Sequence, residues 1–305
     1  MCRKLNLLFL IALVALLLSI ALPAVADRTG WNEPPQAPGY DGHGLLKINA
    51  DYFNLAATSG GDFYFWAPGE FAASAGLLSV PVASDPVALS YRNGGGDFVQ
   101  LLEVPVDAAI THLTLFAGAQ RLDEVQLLRP DGRSVEANPA GVAEQAYKHM
   151  RIVAVEDPEP GRWRLEARGA GSYSIAARYL AERKKLAASG LGAIDLIDFT
   201  FVEVRGRPGH EGLFPVENPV RAGEERLCRI TFSGGVRDPV IEMISAAGDV
   251  LGAIRLDASA DEAAADEFIG TCRVPKLPFR VRVRGQDREG HLFQRLTATL
   301  DSPIP

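Results

Sequence analysis

From Asp85 to the C-terminus, apolar and polar positions alternate with a period near two, and turn signals recur about every ten residues. That is the signature of a β-sandwich or jelly roll. The pattern predicts strands at Val87–Tyr91, Phe98–Val104, His112–Phe116, Val125–Arg129, Met150–Val155, Arg162–Ala167 and Gly171–Arg178. Turns at Pro130-Asp131-Gly132 and Asp157-Pro158-Glu159-Pro160-Gly161 punctuate them. A second set follows at Ile194–Arg205, Glu225–Gly234, Val240–Ser245, Val250–Asp257, Phe268–Val274, Phe279–Gly285 and Leu292–Leu300. Its density, about seven strands in a little over a hundred residues, fits an immunoglobulin-like sandwich. In the last hairpin Phe279, Val281 and Val283 share one face and Arg280, Arg282 and Arg284 the other, with an Asp287/Gly290 turn after them.

The residues before Asp85 follow another rhythm. Met1–Ala26 reads as a secretory signal peptide: Arg3 and Lys4, an apolar run Leu5–Ala21, and Ala24-Val25-Ala26 as the cleavage signal. An uncleaved membrane anchor is the competing reading, which Pro23 and the small-residue signal oppose. Residues 27–44, rich in Pro and Gly, read as an extended leader. Ile48–Ala56 predicts a short helix, Phe63-Tyr64-Phe65-Trp66 an aromatic strand and Glu70–Leu78 a second helix. The expected organisation is therefore mainly β. A helix–strand–helix segment (45–84) precedes a jelly roll (85–180), a linker (181–193) and an immunoglobulin-like domain (194–305).

Charge and cysteine usage narrow the partners. Loss of Arg3 and Lys4 with the signal takes the formal charge from −7 to −9, and no long basic tract remains. An acidic chain of this kind argues against nucleic acid and anionic membranes. The predicted location is secreted or periplasmic, with no membrane span after cleavage. Cys228 and Cys272 remain in the mature chain. In an oxidising compartment they most simply form one disulfide, contributing about 4 kcal/mol by loop entropy. A pair of buried free thiols is the alternative.

Little in the chain recommends chemistry. His43, His112, His149, His210 and His291 show no zinc-ligand spacing, and no serine elbow, phosphate loop or cysteine–histidine pair occurs. No enzyme and no cofactor are implied. Ser172, in Gly169-Ala170-Gly171-Ser172-Tyr173, reads as a hairpin serine. Leu256-Asp257-Ala258-Ser259-Ala260-Asp261 imitates a D-x-S-x-S metal motif, but Asp261 stands where serine belongs. With Glu262, Asp266 and Glu267 nearby it reads as a solvated acidic loop, calcium being the alternative. Phe63–Trp66 is either buried or, for at most half of its rings, a carbohydrate-stacking platform. Trp163, after Pro160-Gly161, reads as a core ring beneath that turn.

A resemblance adds to this reading. Val104-Pro105-Val106-Asp107, Leu113-Thr114-Leu115 and Arg129-Pro130-Asp131-Gly132 resemble the start of the galactose-binding-like domain that follows the von Willebrand A domain in hemicentin-type proteins. Val153–Trp163, with its D-P-E-P-G-x-W, is similar to that domain's N-P-x-P-G-x-W segment, and Tyr173-Ser174-Ile175 to the strand after it. Ile194–Phe199 and Gly209–Pro215 resemble the opening of the following immunoglobulin-like domain. Gly285, Asp287, Gly290, Phe293, Gln294 and Arg295, spaced G-x-D-x-x-G-x-x-F-Q-R, resemble its end. Ala56–Phe65 is similar to the helix-to-strand turn closing an A domain, whose metal-binding strand is missing here, so its adhesion site is not carried over.

The resemblance implies a jelly roll plus sandwich, with Asp107, Trp163 and the closing-hairpin residues serving the fold. It transfers no ligand residues, since a shared shape confers no sugar site. The function expected is a non-enzymatic binding or adhesion-type module for a protein or glycan, recognised by loops. The alternatives are a carbohydrate-binding accessory of a hydrolase system and a docking partner of an A-domain protein.

Overall fold

Six strands form the first sheet: β1 (Asp85–Arg92), β2 (Asp97–Val106), β3 (Ile110–Leu128), β4 (Val142–Ala146), β5 (Met150–Glu156) and β6 (Gly161–Ala181). The protein is described from a computed structural model, for residues 39–40, 44–59, 61, 63–67, 70, 85–135, 141–181, 194, 196–245, 247–256, 265–297 and 300. All pairings in this sheet are antiparallel, in the order β1-β6-β3-β5-β4, with β2 also on β6. The long β6 pairs with β2 over its first half and with β1 over its second, while β3 accompanies both halves.

Sequence explains why those two strands bend rather than end. The β3–β6 register shifts between Ala119 and Arg121 and again between Leu122 and Glu124. Such bulges sharpen local bend and twist. Opposite them, a Cβ on Gly169 would lie 2.0 Å from the Arg121 carbonyl oxygen, so only glycine lets the strands approach. The sheet therefore folds over itself. Phe98, Leu102, Val104, Trp163 and Leu165 from one half share a core with Leu113, Leu115, Val153, Ile175 and Tyr179 from the other. Trp163 is fully buried, and its indole N–H donates to the Glu159 carbonyl at 2.9 Å across the Pro-Gly turn. Burying an aromatic side chain of this kind contributes about 4–6 kcal/mol by area.

The second sheet repeats the device. It contains β7 (Leu196–Arg207), β8 (His210–Pro215), β9 (Glu225–Ile244), β10 (Val250–Ala253), β11 (Arg255–Leu256), β12 (Ala265–Arg273), β13 (Arg280–Gln286) and β14 (Leu292–Leu296). The first half of β9 pairs with β7 and β12, and the second half with β13 and β10. Cys228, Ile230, Phe232 and Phe268 thereby meet Ile241, Met243, Val281, Val283 and Phe293 in a second core.

The architecture is thus mainly β, of the sandwich class, as the alternation predicts. Three predicted pairs of strands are corrected to single bent strands: 112–116 with 125–129, 162–167 with 171–178, and 225–234 with 240–245. The Gly-rich stretches between them look like turns but act as bends. Ser172 consequently lies within β6 and not in a hairpin; its hydroxyl accepts the Gly94 N–H at 2.7 Å and seats the β1–β2 turn. β4 and β8 have no predicted counterpart, because their exposed faces give them no alternation to read.

Ahead of the sheets, α1 (Ala50–Ser59) is capped by the Asn49 side chain, which accepts the N–H groups of Asp51 (2.9 Å) and Tyr52 (3.2 Å). Phe53 alone is buried on it. The expected aromatic strand is not formed: Phe63–Trp66 belong to no strand among the described residues. Its Phe65, with Leu46 and Phe53, packs on Leu89, Tyr91, Phe116 and Met150 of the first sheet and on Ile244 and Leu296 of the second. These elements and both sheets belong to the unit Tyr40–Pro305. The signal segment, most of the leader, the second helix beyond Glu70, the linker 182–193 and the acidic stretch 257–264 lie outside the described residues. Among the described residues no helix is long and apolar enough to cross a membrane.

Candidate binding cleft at the junction of the sheets

The closing hairpin builds the junction. A Cβ on Gly285 would lie 2.8 Å from the Arg237 carbonyl oxygen, so glycine lets β13 lie against β9. The Asp287 carboxylate organises the turn: Oδ1 accepts the N–H groups of Glu289 (2.9 Å) and His291 (2.8 Å), and Oδ2 lies 3.1 Å from His291 Nδ1. Gly290 takes the left-handed conformation that closes it, with φ at +88°. The chain then enters β14, where Phe293 points into the second core.

Gln294 and Arg295 point the other way, across the junction. The Gln294 amide donates to the Val87 carbonyl of β1. The Arg295 guanidinium donates to the Ile194 carbonyl at 2.7 Å and to the Gln294 carbonyl at 2.9 Å, lies over the Tyr179 ring, and reaches Asp107 at 2.7 Å. Both charged side chains are almost wholly buried, at 1% and 3% exposure. The Nη2–Oδ2 contact lies off the hydrogen-bond line, so its attraction is chiefly Coulombic. Asp107 Oδ1 meanwhile accepts the Ala109 N–H and shapes the turn after β2.

A third contact closes the floor. The turn between β9 and β10 lies on β1 so closely that a Cβ on Gly248 would sit 2.9 Å from the Leu89 carbonyl oxygen. Above this floor the sheets diverge and leave a cleft of about 800 Å³. That size falls in the range of sites that enclose a ligand. One wall presents Leu101, Glu103 and Arg162; the other presents Val240, Arg284 and Leu292. Glu103 lies 3.6 Å from Arg162. Across the cleft one carboxylate oxygen of Glu242 receives Arg282 (2.8 and 3.0 Å) and Arg284 (2.9 Å) together.

The residues singled out from sequence divide accordingly. Asp107 and Arg295 come together at the junction, Trp163 stands apart in the first core, and Gly285, Asp287, Gly290 and Phe293 shape the hairpin. The cleft walls were not read from sequence. Their one signal is Arg280-x-Arg282-x-Arg284, a charge density on one strand face beyond what a half-buried hairpin requires. Of these, Arg280 is buried and donates to the Thr297 carbonyl at 3.1 Å, leaving Arg282 and Arg284 to the cleft.

Cys228 and Cys272 are buried free thiols, so the expected bridge is not formed. They sit on neighbouring strands of one sheet rather than on strands facing each other across the core. The register places Cys228 opposite Gly270 and Cys272 opposite Arg226. Such diagonal neighbours have β-carbons further apart than the roughly 4 Å a disulfide needs. A hydrogen bond with Cys228 holds the Cys272 thiol below its ordinary range, against the opposing effect of burial. The Cys228 thiol itself donates to the Gly270 carbonyl at 3.4 Å.

The aromatic segment is split by its alternation. Phe65 is buried, whereas Tyr64 is 38% exposed. Tyr64 stacks on Trp66 with ring centres 6.0 Å apart, and Trp66 meets Tyr147 edge-on at 5.2 Å. Near them the buried His149 bonds the Tyr40 hydroxyl at 2.9 Å, and its pKa is lowered, first by burial and then by Lys148. Among the described residues no group of three metal-ligating side chains converges.

No family model matches the chain, and no curated protein matches it. Solved structures with faint likeness to the chain include the following two. The lipase BlEst2 of Bacillus licheniformis in its propeptide form shares 13% identity over 74% of this chain, at a TM-score of 0.24. This chain spans about half of the lipase chain, 48%. The titin domains Z1Z2 in complex with telethonin share 13% identity over 70% of this chain and 96% of theirs, at a TM-score of 0.16. Likeness at that level carries no functional argument.

Proposed function

We propose that the protein is a non-enzymatic binding module, secreted or periplasmic, that recognises a macromolecular partner through the cleft between its two sheets. The observation that carries this reading is that cleft. It has a floor that includes Gln294 and Gly248, walls mixing aliphatic and charged side chains, and a size suited to a ligand segment. The order of the sequence segments that resemble the region after a hemicentin-type A domain supports the same reading.

A carbohydrate-binding role is the second reading. It is favoured by the exposed Tyr64 and the partly exposed Trp66, the rings best placed for a sugar to stack on. Affinity capture from the native envelope, run beside a glycan array, distinguishes the two. With Leu101→Arg, an exposed cleft position, a cleft-bound partner is expected to be lost while the fold is kept. Equal capture by wild type and variant, or a glycan hit abolished by Tyr64→Ala, would move the site to the aromatic patch.

A further inference from the structure

Two sheet edges without a strand partner line the cleft. Among the described residues β2 pairs only with β6, and β14 only with β13. In an antiparallel ladder every second residue turns its N–H and C=O toward the partner strand, and the next turns them away. The Gly171 N–H bonds the Gly96 carbonyl at 3.2 Å, and from there the register runs unbroken to Val106 opposite Gly161. Val99, Leu101 and Glu103 therefore turn their main-chain groups away from β6. Pro105 falls in the same set, which is where a strand tolerates a residue without an N–H. On β14 the bonds from the Asp287 N–H to the His291 carbonyl and from the Thr297 N–H to the Val281 carbonyl set the count. They place Leu292, Gln294 and Leu296 outward.

The two edges are not equally open. Gln294 and Leu296 are buried, and the Gln294 amide is already bonded to β1. On β2, Val99 and Leu101 are 67% and 48% exposed. Sheet edges are usually blunted by charge, proline or a bulge. Between Asp97 and Glu103, however, β2 presents Val99 and Leu101 outward with no bulge. Across the cleft Val240 and Leu292 add exposed aliphatic surface. Charge selects no occupant of one sign. Arg92, Arg162, Arg282 and Arg284 line the cleft with Glu103, Asp238 and Asp249, and Glu242 pairs with Arg282 and Arg284, four against four. The aromatic rings that reach the cleft, Tyr173 and Phe293, are buried, so a sugar finds no face to stack on. The cleft offers unpaired main chain beside aliphatic side chains, which is the chemistry that receives an extended peptide at a sheet edge.

We propose that the cleft takes up an extended segment of a partner polypeptide as an added strand on β2. Its main chain bonds Leu101 and Glu103, and its alternate side chains rest on Leu101, Val240 and Leu292. The proposal rests on the cleft being the binding site. Selection from a displayed library of random peptides on the full chain tests it, with selected peptides measured by fluorescence polarisation. The expected result is enrichment of aliphatic and β-branched residues at alternate positions, with no shared charge. N-methylation of a selected peptide should weaken binding about tenfold at one set of alternate residues and little at the other, because only every second N–H faces β2. Leu101→Pro removes an N–H that β6 does not use and should cost about as much, with Leu101→Ala costing less.

N-methylation that acts equally at both sets of residues overturns the proposal, as does a consensus built on charge, or no enrichment at all. So does a glycan-array hit that is lost in Leu101→Arg, which would leave the cleft reading standing. Self-association in sedimentation velocity that Leu101→Pro abolishes would make a second copy the occupant and overturn it too. Peptide binding that is unmoved by Leu101→Arg overturns both the proposal and the cleft reading.

Discussion

Arg295, at the end of the last hairpin, and Asp107, in the turn after the second strand of the other sheet, form a buried ion pair at 2.7 Å. They lie at opposite ends of the sequence stretch whose motifs resemble the hemicentin-type region. Their spacing along the chain conceals the contact, and the fold supplies it. The motif that ends the chain is therefore a clamp between sheets as well as a hairpin signature.

Breaking the clamp on one side leaves a buried charge without its counterion. Asp107→Asn keeps the acceptor for the Ala109 N–H and removes only the charge, so its cost isolates the ion pair. The expected loss is about 3–5 kcal/mol, the range for an orphaned buried charge. In a double-mutant cycle with Arg295→Met the combined loss should fall well below the sum of the two. Urea denaturation measures both. Asp107→Asn within about 0.5 kcal/mol of wild type would show that the pair is not energetically coupled.

How much of this was legible in the sequence differs from element to element. Alternation of the kind in Val281-Arg282-Val283-Arg284 identifies strands because burial on one face demands it. It does not show whether Gly169-Ala170-Gly171 ends a strand or bends it, since glycine serves both purposes. What separates the two is Arg121, 48 positions earlier, whose carbonyl occupies the space a side chain at 169 would need. The cleft was hidden for the same reason: Leu101 and Val240 look like ordinary solvent-facing strand positions until the sheets are placed together. Asp107 and Arg295 could be singled out by resemblance, but their partnership is a long-range contact that local pattern does not encode.

The bend itself gives a clean contrast. Gly169→Ala forces a Cβ into the Arg121 carbonyl, so the paired strands must separate. The expected loss is about 1–3 kcal/mol, as for overpacking. Gly96→Ala, in the β1–β2 turn with open space around it, should stay within about 0.5 kcal/mol of wild type. Thermal denaturation of the two variants side by side checks this. Equal stability would mean that β3 and β6 do not approach as closely as the bend requires.

The thiols make a separate prediction. Because Cys228 and Cys272 are buried and unbridged, neither should react with a disulfide reagent in the native protein, and both should react once the chain is unfolded without reductant. Their diagonal register makes a bridge the strained alternative. If protein recovered from an oxidising compartment shows no reactive thiol after unfolding, the pair is bridged there. The β9–β12 register must then shift to allow it.

His149 should make stability depend on pH. Burial, reinforced by Lys148, disfavours its charged form and lowers its pKa from the ordinary 6.5, while Glu70 and two backbone hydrogen bonds oppose the shift only in part. Below pH 6.5 the unfolded chain takes up the proton before the folded one does. Between the ordinary value and the lowered one, the unfolded state thus binds more protons, and stability rises with pH. The contribution of neutral His149 is therefore complete above about pH 6.5 and is lost as pH falls through the lowered folded pKa. In His149→Gln the side chain keeps a hydrogen-bonding group for the Tyr40 hydroxyl but cannot titrate. The stability difference between wild type and this variant should stay constant from pH 8 to about 6.5 and move against wild type below it. Denaturation midpoints across that range decide the matter. A difference that stays flat down to pH 5 would mean that His149 is protonated as readily in the folded chain as in the unfolded one.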